Sequence, residues 1–142
     1  IEEHPAPAHA ILRSIHVKDA LKTIVHAWRA YEEEKLRQHM EPKQFEEYLH
    51  QWGQESSKRA WNFVSSFGRE IKPKSLHLVH GEPGFVIPKF AKDHDIDLVV
   101  MGTLGRLGQH GLFIGDTAER ILDRLECSVL AVKPAGFVSP VR

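Results

Sequence analysis

The fold is determined by the segment Asp97-Leu98-Val99-Val100-Met101-Gly102-Thr103-Leu104-Gly105, together with Gly115-Asp116-Thr117 after nine intervening residues. Its apolar run, 98–101, predicts a strand buried on both faces of a parallel sheet. Gly102 and Gly105 let the backbone leave the strand tightly and put no side chain between the main chain and a ligand. Gly115-Asp116-Thr117 opens a predicted helix, whose first amides and dipole favour an anion. The pattern predicts a phosphate-binding corner at the carboxyl edge of an α/β sheet.

Composition limits the function classes. The chain has 142 residues, enough for one domain. Its 19 basic and 19 acidic side chains give a formal net charge of zero, which argues against a nucleic-acid partner because such proteins carry a basic excess or stripe. No apolar run approaches the roughly 20 residues that span a bilayer, so we expect no membrane partner. The single cysteine, Cys127, fits a reducing compartment, and we expect a cytoplasmic protein.

Helices and strands alternate along the rest of the chain. Apolar spacing predicts helices over 8–17, from Pro42 through Phe67, over 85–93 and over 117–126. Strands are predicted over 21–28, 75–80, 98–101 and 128–132. The charge-dense segment 29–40 is predicted to be either a solvated loop or a short exposed helix. Alternation with short links predicts a parallel sheet with helices on both faces.

The start of the pattern is unusual for this fold class, because no strand precedes the helix predicted over 8–17. If 11–17 formed the strand instead, only Lys18-Asp19-Ala20 would remain for a parallel crossover, which needs a dozen or more residues. We therefore expect the first strand of the sheet to lie outside the printed sequence.

The glycine spacing G-x2-G-x9-G after Val-Val-Met-Gly resembles that of the universal stress protein family. Val25-His26-Ala27-Trp28 and Val79-His80-Gly81-Glu82-Pro83 are similar to the ends of the family's second and third strands, and the likeness covers most of 20–134. Gly115-Asp116-Thr117-Ala118-Glu119 and the ending Lys133-Pro134-Ala135-Gly136-Phe137-Val138-Ser139-Pro140-Val141 resemble most the subgroup with two such domains in tandem. We expect one domain over 1–142, either the second half of a tandem protein or a single-domain relative.

The resemblance implies an architecture and a function. It implies an open parallel five-stranded sheet in the order 3-2-1-4-5 with helices on both faces, of the adenine nucleotide alpha hydrolase-like type. It implies ATP as ligand, with or without Mg²⁺, in a stress-response module without efficient catalysis. It implies dimerisation, or pairing of tandem domains, through the last strand, Ser128–Val132. A slow ATPase ranks last, because no general base is positioned for attack by water.

The resemblance also implies the nucleotide-binding residues. They lie at the end of the second family strand, at the end of the fourth and at the following helix start: Ala27, Met101, Gly102, Leu104, Gly105, Gly115, Asp116 and Thr117. Asp116 departs from the family pattern, since ATP-binding members usually carry Ser or Thr there. A carboxylate repels phosphate unless a metal intervenes. The alternative for Asp116 is a helix N-cap, in a capping box with Glu119.

Other side chains have weaker functional arguments. The ten histidines include His77 and His80, which a strand would point in opposite directions, and we expect no metal site and no catalytic residue. Arg106 and His110 are candidates for phosphate contact. The aromatic residues of the long helix, Trp52, Phe63 and Phe67, are predicted to be core, with a pocket for an apolar ligand as the alternative. The competing function is therefore a dimerisation scaffold or a small apolar-ligand carrier that binds no nucleotide.

Overall fold

The computed structural model describes residues 21–66, 75–102 and 114–133. The strands there are β1 (Ile24–Trp28), β2 (Leu76–His80), β3 (Leu98–Gly102) and β4 (Ser128–Val132). The helices are α1 (Glu33–His39), α2 (Pro42–Ser65), α3 (Pro83–Asp93) and α4 (Asp116–Leu122). The helix predicted over 8–17 and the predicted core residue Phe67 lie outside the described residues.

All strand pairing in the described residues is parallel. β1 pairs with β2, so that Ile24 lies opposite Leu76 and Trp28 opposite His80. β3 pairs with β4, so that Leu98 lies opposite Ser128. Parallel strands separated by helices confirm the α/β class. The five-strand order stays a prediction, because the two pairs are described as separate sheets.

The chain forms two compact units, and residues 21–86 make one of them. Helix α2 begins at Pro42, as predicted, since proline is tolerated in the first turn. It buries Phe45, Ala60 and Val64. Phe63 was predicted to be core, and this is wrong: the side chain is 48% exposed. The buried positions Ala60 and Val64 are four residues apart on the helix, and Phe63 lies to one side of that line.

The turn after β2 depends on glycine. Gly81 has a φ of +140°, a conformation that residues with a Cβ rarely adopt. A Cβ there would lie 2.5 Å from Cγ1 of Val86. The Gly81 amide donates to the Trp28 carbonyl at 2.9 Å, so the turn is held to the carboxyl end of β1.

Helix α3 begins two residues earlier than the predicted 85–93. In a helix over 85–93 Pro88 would fall in the first turn, but the observed start at Pro83 places Pro88 in the interior. Pro88 has no N–H to donate to the preceding helical turn. Phe90 and Ala91 of this helix are buried, at 9% and 6% exposure, and anchor it in the core.

The second unit contains β3, α4 and β4, along with residues of α3 from Ile87 onward. Helix α4 buries Ala118 and Ile121 on one face, and Val132 of β4 is 3% exposed. The helix was predicted over 117–126 but ends at Leu122. The amides of Arg124 and Leu125 both donate to the Ile121 carbonyl, so the chain closes a final turn and then leaves the helix for β4.

Candidate functional site

The first part of the candidate site is the end of β3. Met101 is half-buried and lies opposite Ala131, while Gly102 is the last strand residue and lies opposite Val132. Gly102 is exposed, and among the described residues a Cβ built on it would meet no atom within 4 Å. No described side chain therefore covers the backbone at Gly102, the last residue of β3.

The second part is the start of α4. Gly115 is the N-cap, with φ −58° and ψ 149°, and no side chain caps the helix. Asp116 is therefore the first helical residue, and the predicted capping box with Asp116 as N-cap is wrong. The Glu119 amide donates to the Gly115 carbonyl at 3.0 Å. A glycine N-cap leaves the amides of the first turn without a capping side chain, and such amides suit an anion.

Topology brings these two parts to the same edge. Because β3 and β4 are parallel neighbours, the chain must return from the carboxyl end of β3 to the amino end of β4. Helix α4 makes that return, so its start faces the carboxyl edge. We name Met101, Gly102, Gly115, Asp116 and Thr117 the β3–α4 corner. Asp116 and Thr117 are both exposed there.

Two predicted site residues, Leu104 and Gly105, lie outside the described residues, as do Arg106 and His110. Ala27 is described, and it lies half-buried in β1 opposite Val79. It belongs to the unit of residues 21–86, whereas the β3–α4 corner belongs to the other unit. Topology places five of the eight predicted residues at one edge of the β3–β4 pair, and Ala27 is described separately.

Sequence reasoning missed a charged cluster at the carboxyl ends of β1 and β2. Glu33 of α1 is 7% exposed, although it stands in a run of glutamates. Its Oε2 accepts hydrogen bonds from the Ala30 amide at 3.1 Å and from Nε2 of His80 at 2.9 Å. Its Oε1 accepts one from Nη2 of Arg37 at 3.1 Å. We name Ala30, Glu33, Arg37 and His80 the Glu33 cluster.

Aromatic rings surround this cluster. The His80 ring lies against the Trp28 ring, with centroids 4.4 Å apart and planes at 32°. The far edge of Trp28 approaches α2 closely, since a Cβ on Gly53 would lie 3.1 Å from Cζ2 of the indole. The Arg37 guanidinium lies over the Phe45 ring, 5.5 Å from its centroid. The Glu33 carboxylate is shielded from water, whereas the Arg37 and His80 side chains are 54% and 37% exposed, so shielding strengthens the interactions from the Glu33 side only.

The electrostatics of Glu33 follow from these contacts. Burial by itself raises the pKa of the Glu33 carboxyl. Hydrogen bonds from His80 and the Ala30 amide, with the charges of His80 and Arg37, outweigh burial and hold the pKa below its ordinary value. Glu33 is therefore ionised in the folded protein at neutral pH.

The described residues contain neither a metal-binding group of side chains nor a membrane-spanning helix. In residues 21–66, 75–102 and 114–133, no three His, Cys, Asp or Glu side chains are grouped so that they could hold a metal ion. None of the helices in those ranges is long and apolar enough to cross a membrane.

Comparison with known proteins places this architecture in a family. The model of the universal stress protein family matches residues 2–133. Universal stress protein E of Photorhabdus laumondii is 39% identical over 72 residues, which cover 51% of this chain and 23% of that protein. The protein of the same name from Escherichia coli K12 is 39% identical over 71 residues, covering 50% and 22%. Universal stress protein MJ0531 of Methanocaldococcus jannaschii is 36% identical over 87 residues, covering 61% and 49%.

Solved structures agree on the fold. The structure of protein MJ0577 superimposes with a TM-score of 0.68 at 20% identity, covering 92% of this chain and 88% of that one. The universal stress protein UspA of Lactobacillus plantarum gives a TM-score of 0.61 at 22% identity, covering 89% and 87%. The matched segments span less than half the length of the curated relatives. At these identities the solved structures bear on the fold alone.

Proposed function

The chain belongs to the universal stress protein family, and we propose that it acts there as a non-catalytic module that binds an adenine nucleotide, ATP, at the carboxyl edge of its parallel strands. The observation that carries the proposal is the β3–α4 corner. Gly102 ends β3 with no other described residue within 4 Å of its Cβ position, and a glycine N-cap precedes the helix α4. Backbone amides presented in this way suit the oxygens of a phosphate chain.

The proposed phosphate contacts are main-chain amides at the β3–α4 corner and in the segment containing Leu104 and Gly105. Ala27 is proposed as a further contact on the family resemblance alone. Thr117 is exposed in the first turn of α4, where its hydroxyl is a candidate donor. The proposal places the protein in the cytoplasm and in the stress response, in keeping with the family.

In this proposal the Asp116 carboxylate limits the affinity for ATP. Its carboxylate lies exposed in the first turn of a helix, where it interacts well with the helix dipole and poorly with a phosphate. Mg²⁺ bound between the carboxylate and the phosphate oxygens would remove the repulsion. We therefore propose that ATP binds as its magnesium complex.

The proposed assembly is a homodimer, or a tandem pair of domains, formed through β4. No described strand pairs with β4 on the side away from β3, and an unpaired strand edge is a ready surface for a second chain. In this proposal the nucleotide changes the contacts of the dimer or of a partner.

The second candidate function is a scaffold of the same fold that binds no nucleotide, or that carries a small apolar ligand. Asp116 favours it, since a carboxylate at a phosphate site needs compensation. The exposure of Phe63 and of Trp61, at 48% and 38%, leaves aromatic surface on α2 outside the core. Such surface is compatible with an apolar ligand or with a protein contact.

Isothermal titration with ATP and Mg²⁺ tests the proposal. We expect measurable binding in the wild type and loss of binding in Gly115→Val, whose side chain would crowd the anion while the backbone angles of Gly115 remain accessible to valine. Ser65→Ala, exposed at the end of α2, is the control and should bind as the wild type does. Absence of binding at millimolar ATP, with an intact dimer, would favour the scaffold.

A further inference from the structure

The Glu33 cluster joins two segments that are distant in sequence. Glu33 begins α1, His80 ends β2, and 47 residues separate them. One carboxylate oxygen accepts from both His80 and the Ala30 amide, and the other accepts from Arg37. The carboxylate is thus the point at which α1, the segment after β1 and the end of β2 are held together.

Helix α1 depends on such attachment. It has seven residues, and its N-cap, Glu32, has a left-handed backbone with φ 49° and makes no side-chain cap. A helix this short is not stable by itself in water, and a left-handed glutamate adds a cost. Its docking therefore relies on the contacts that Glu33 makes.

The charge at the cluster is set by a small number of groups. From α1 come Glu33 and Arg37, and from β2 comes His80. Two uncharged rings lie against these groups, the Trp28 ring of β1 against His80 and the Phe45 ring of α2 against Arg37. A surface pair, Glu32 with Lys35, lies beside them at 3.4 Å. Histidine is the residue type in this set whose charge ordinarily changes near neutral pH.

We propose that the Glu33–His80 pair is a pH-responsive latch that holds α1 against the carboxyl ends of β1 and β2. With a protonated His80 ring the bond to Glu33 is charge-assisted. With a neutral ring the Nε2–H donor remains and the charge is lost, and a neutral hydrogen bond has roughly half the strength. The attachment of α1 to the ends of β1 and β2 is therefore stronger when the His80 ring is protonated than when it is neutral.

The Ala30 amide reports directly on the latch, because it is buried and donates to the same oxygen as His80. Hydrogen exchange of this amide is measured by NMR between about pH 5.5 and pH 8.5 and expressed as a protection factor, which removes the intrinsic pH dependence of exchange. We expect protection of Ala30 in the wild type to fall roughly fivefold across this range.

His80→Gln keeps an N–H donor and cannot change its charge, so its Ala30 protection should not vary with pH. Glu33→Gln removes the negative charge from the partner of His80, so its Ala30 protection should also vary little with pH. His50→Gln is the matched control, since His50 is exposed on α2 and contacts Gln54, and its profile should follow the wild type. A wild-type Ala30 protection factor that did not vary with pH would overturn the proposal. A folded His80→Gln or Glu33→Gln variant with the same pH dependence as the wild type would also overturn it.

Discussion

The Glu33 carboxylate of α1 accepts a 2.9 Å hydrogen bond from the His80 ring of β2. This bond, with the Ala30 and Arg37 bonds to the same carboxylate, accounts for a glutamate that is 7% exposed. A buried carboxylate is stable in a protein only when its oxygens are fully partnered. The unit of residues 21–86 should therefore be sensitive to any change at this carboxylate.

Replacement of Glu33 by glutamine should lower the free energy of unfolding by about 1–3 kcal/mol. The amide keeps the shape of the side chain but loses the charge that His80 and Arg37 contact, and its NH₂ group would face donors. Urea denaturation measures the change. Glu34→Gln, at the exposed neighbouring position, should stay within about 0.5 kcal/mol of the wild type. Equal stability of the Glu33 and Glu34 variants would contradict the energetic role of the cluster.

The contribution of Glu33 should depend on pH in a defined direction. The pKa of the Glu33 carboxyl is lower in the folded protein than the ordinary 4.5. A group of this kind stabilises the folded state above its unfolded pKa, and that stabilisation is lost as the pH falls through the folded pKa. Denaturation of wild type and Glu33→Gln across acid pH should show a stability difference that shrinks below pH 4.5. A difference that grew on acidification would be inconsistent with the lowered pKa.

Gly81→Ala should be strongly destabilising. The substitution puts a Cβ on a backbone with φ +140°, 2.5 Å from Cγ1 of Val86, and we expect a loss of about 2–4 kcal/mol from strain and overlap. Gly102→Ala is the matched control, since nothing lies within 4 Å of its Cβ position, and it should change stability little. The double variant Gly81→Ala, Val86→Ala separates the two causes, because it removes the overlap and keeps the strained φ.

Ile121→Ala tests the packing of α4. Ile121 is 4% exposed, and removing three carbon atoms from a buried isoleucine costs about 2–5 kcal/mol. Arg120→Ala, on the exposed side of the same helix, should cost far less. Thermal unfolding of the two variants gives the comparison. If both lowered the melting temperature equally, the assignment of the buried face would be wrong.

Asp116→Ser tests the feature that we expect to limit nucleotide affinity. Serine removes the negative charge beside the phosphate position and supplies a hydroxyl donor, so ATP should bind about tenfold more tightly, and the gain should be larger without Mg²⁺. Glu119→Gln, which removes a charge one turn further along α4, is the control for a general electrostatic effect. Unchanged affinity in Asp116→Ser would mean that the carboxylate lies away from the ligand.

The parts of the fold that sequence predicts well are those governed by local pattern. The apolar run before Gly102 predicted β3, and Pro42 marked the start of α2 because proline suits a first turn. Helix α4 begins at Asp116, one residue before its predicted start. Asp116 is therefore the first helical residue and not the N-cap. A capping box and a glycine N-cap followed by aspartate are hard to separate in sequence, since both place an acidic residue in the first turn.

The Glu33 cluster could not be predicted in this way. Three consecutive glutamates, Glu32 to Glu34, have the same local character, and only Glu33 is buried. Its partner His80 belongs to β2, and the pairing of β2 with β1 places His80 beside the start of α1. The sequence predicted only that the His77 and His80 side chains point to opposite faces of β2. It gave no indication of which group each ring contacts.

ATP binding at the β3–α4 corner is tested most directly by titrating the ¹⁵N-labelled protein with ATP and Mg²⁺ and measuring the NMR shifts of the backbone amides. The account predicts saturable shifts at Gly102, Gly115, Asp116 and Thr117, with weaker changes at Ala27, and none at Gly53 of α2. Saturable ATP binding whose shifts avoid the β3–α4 corner, or no shifts there at millimolar ATP, would contradict it.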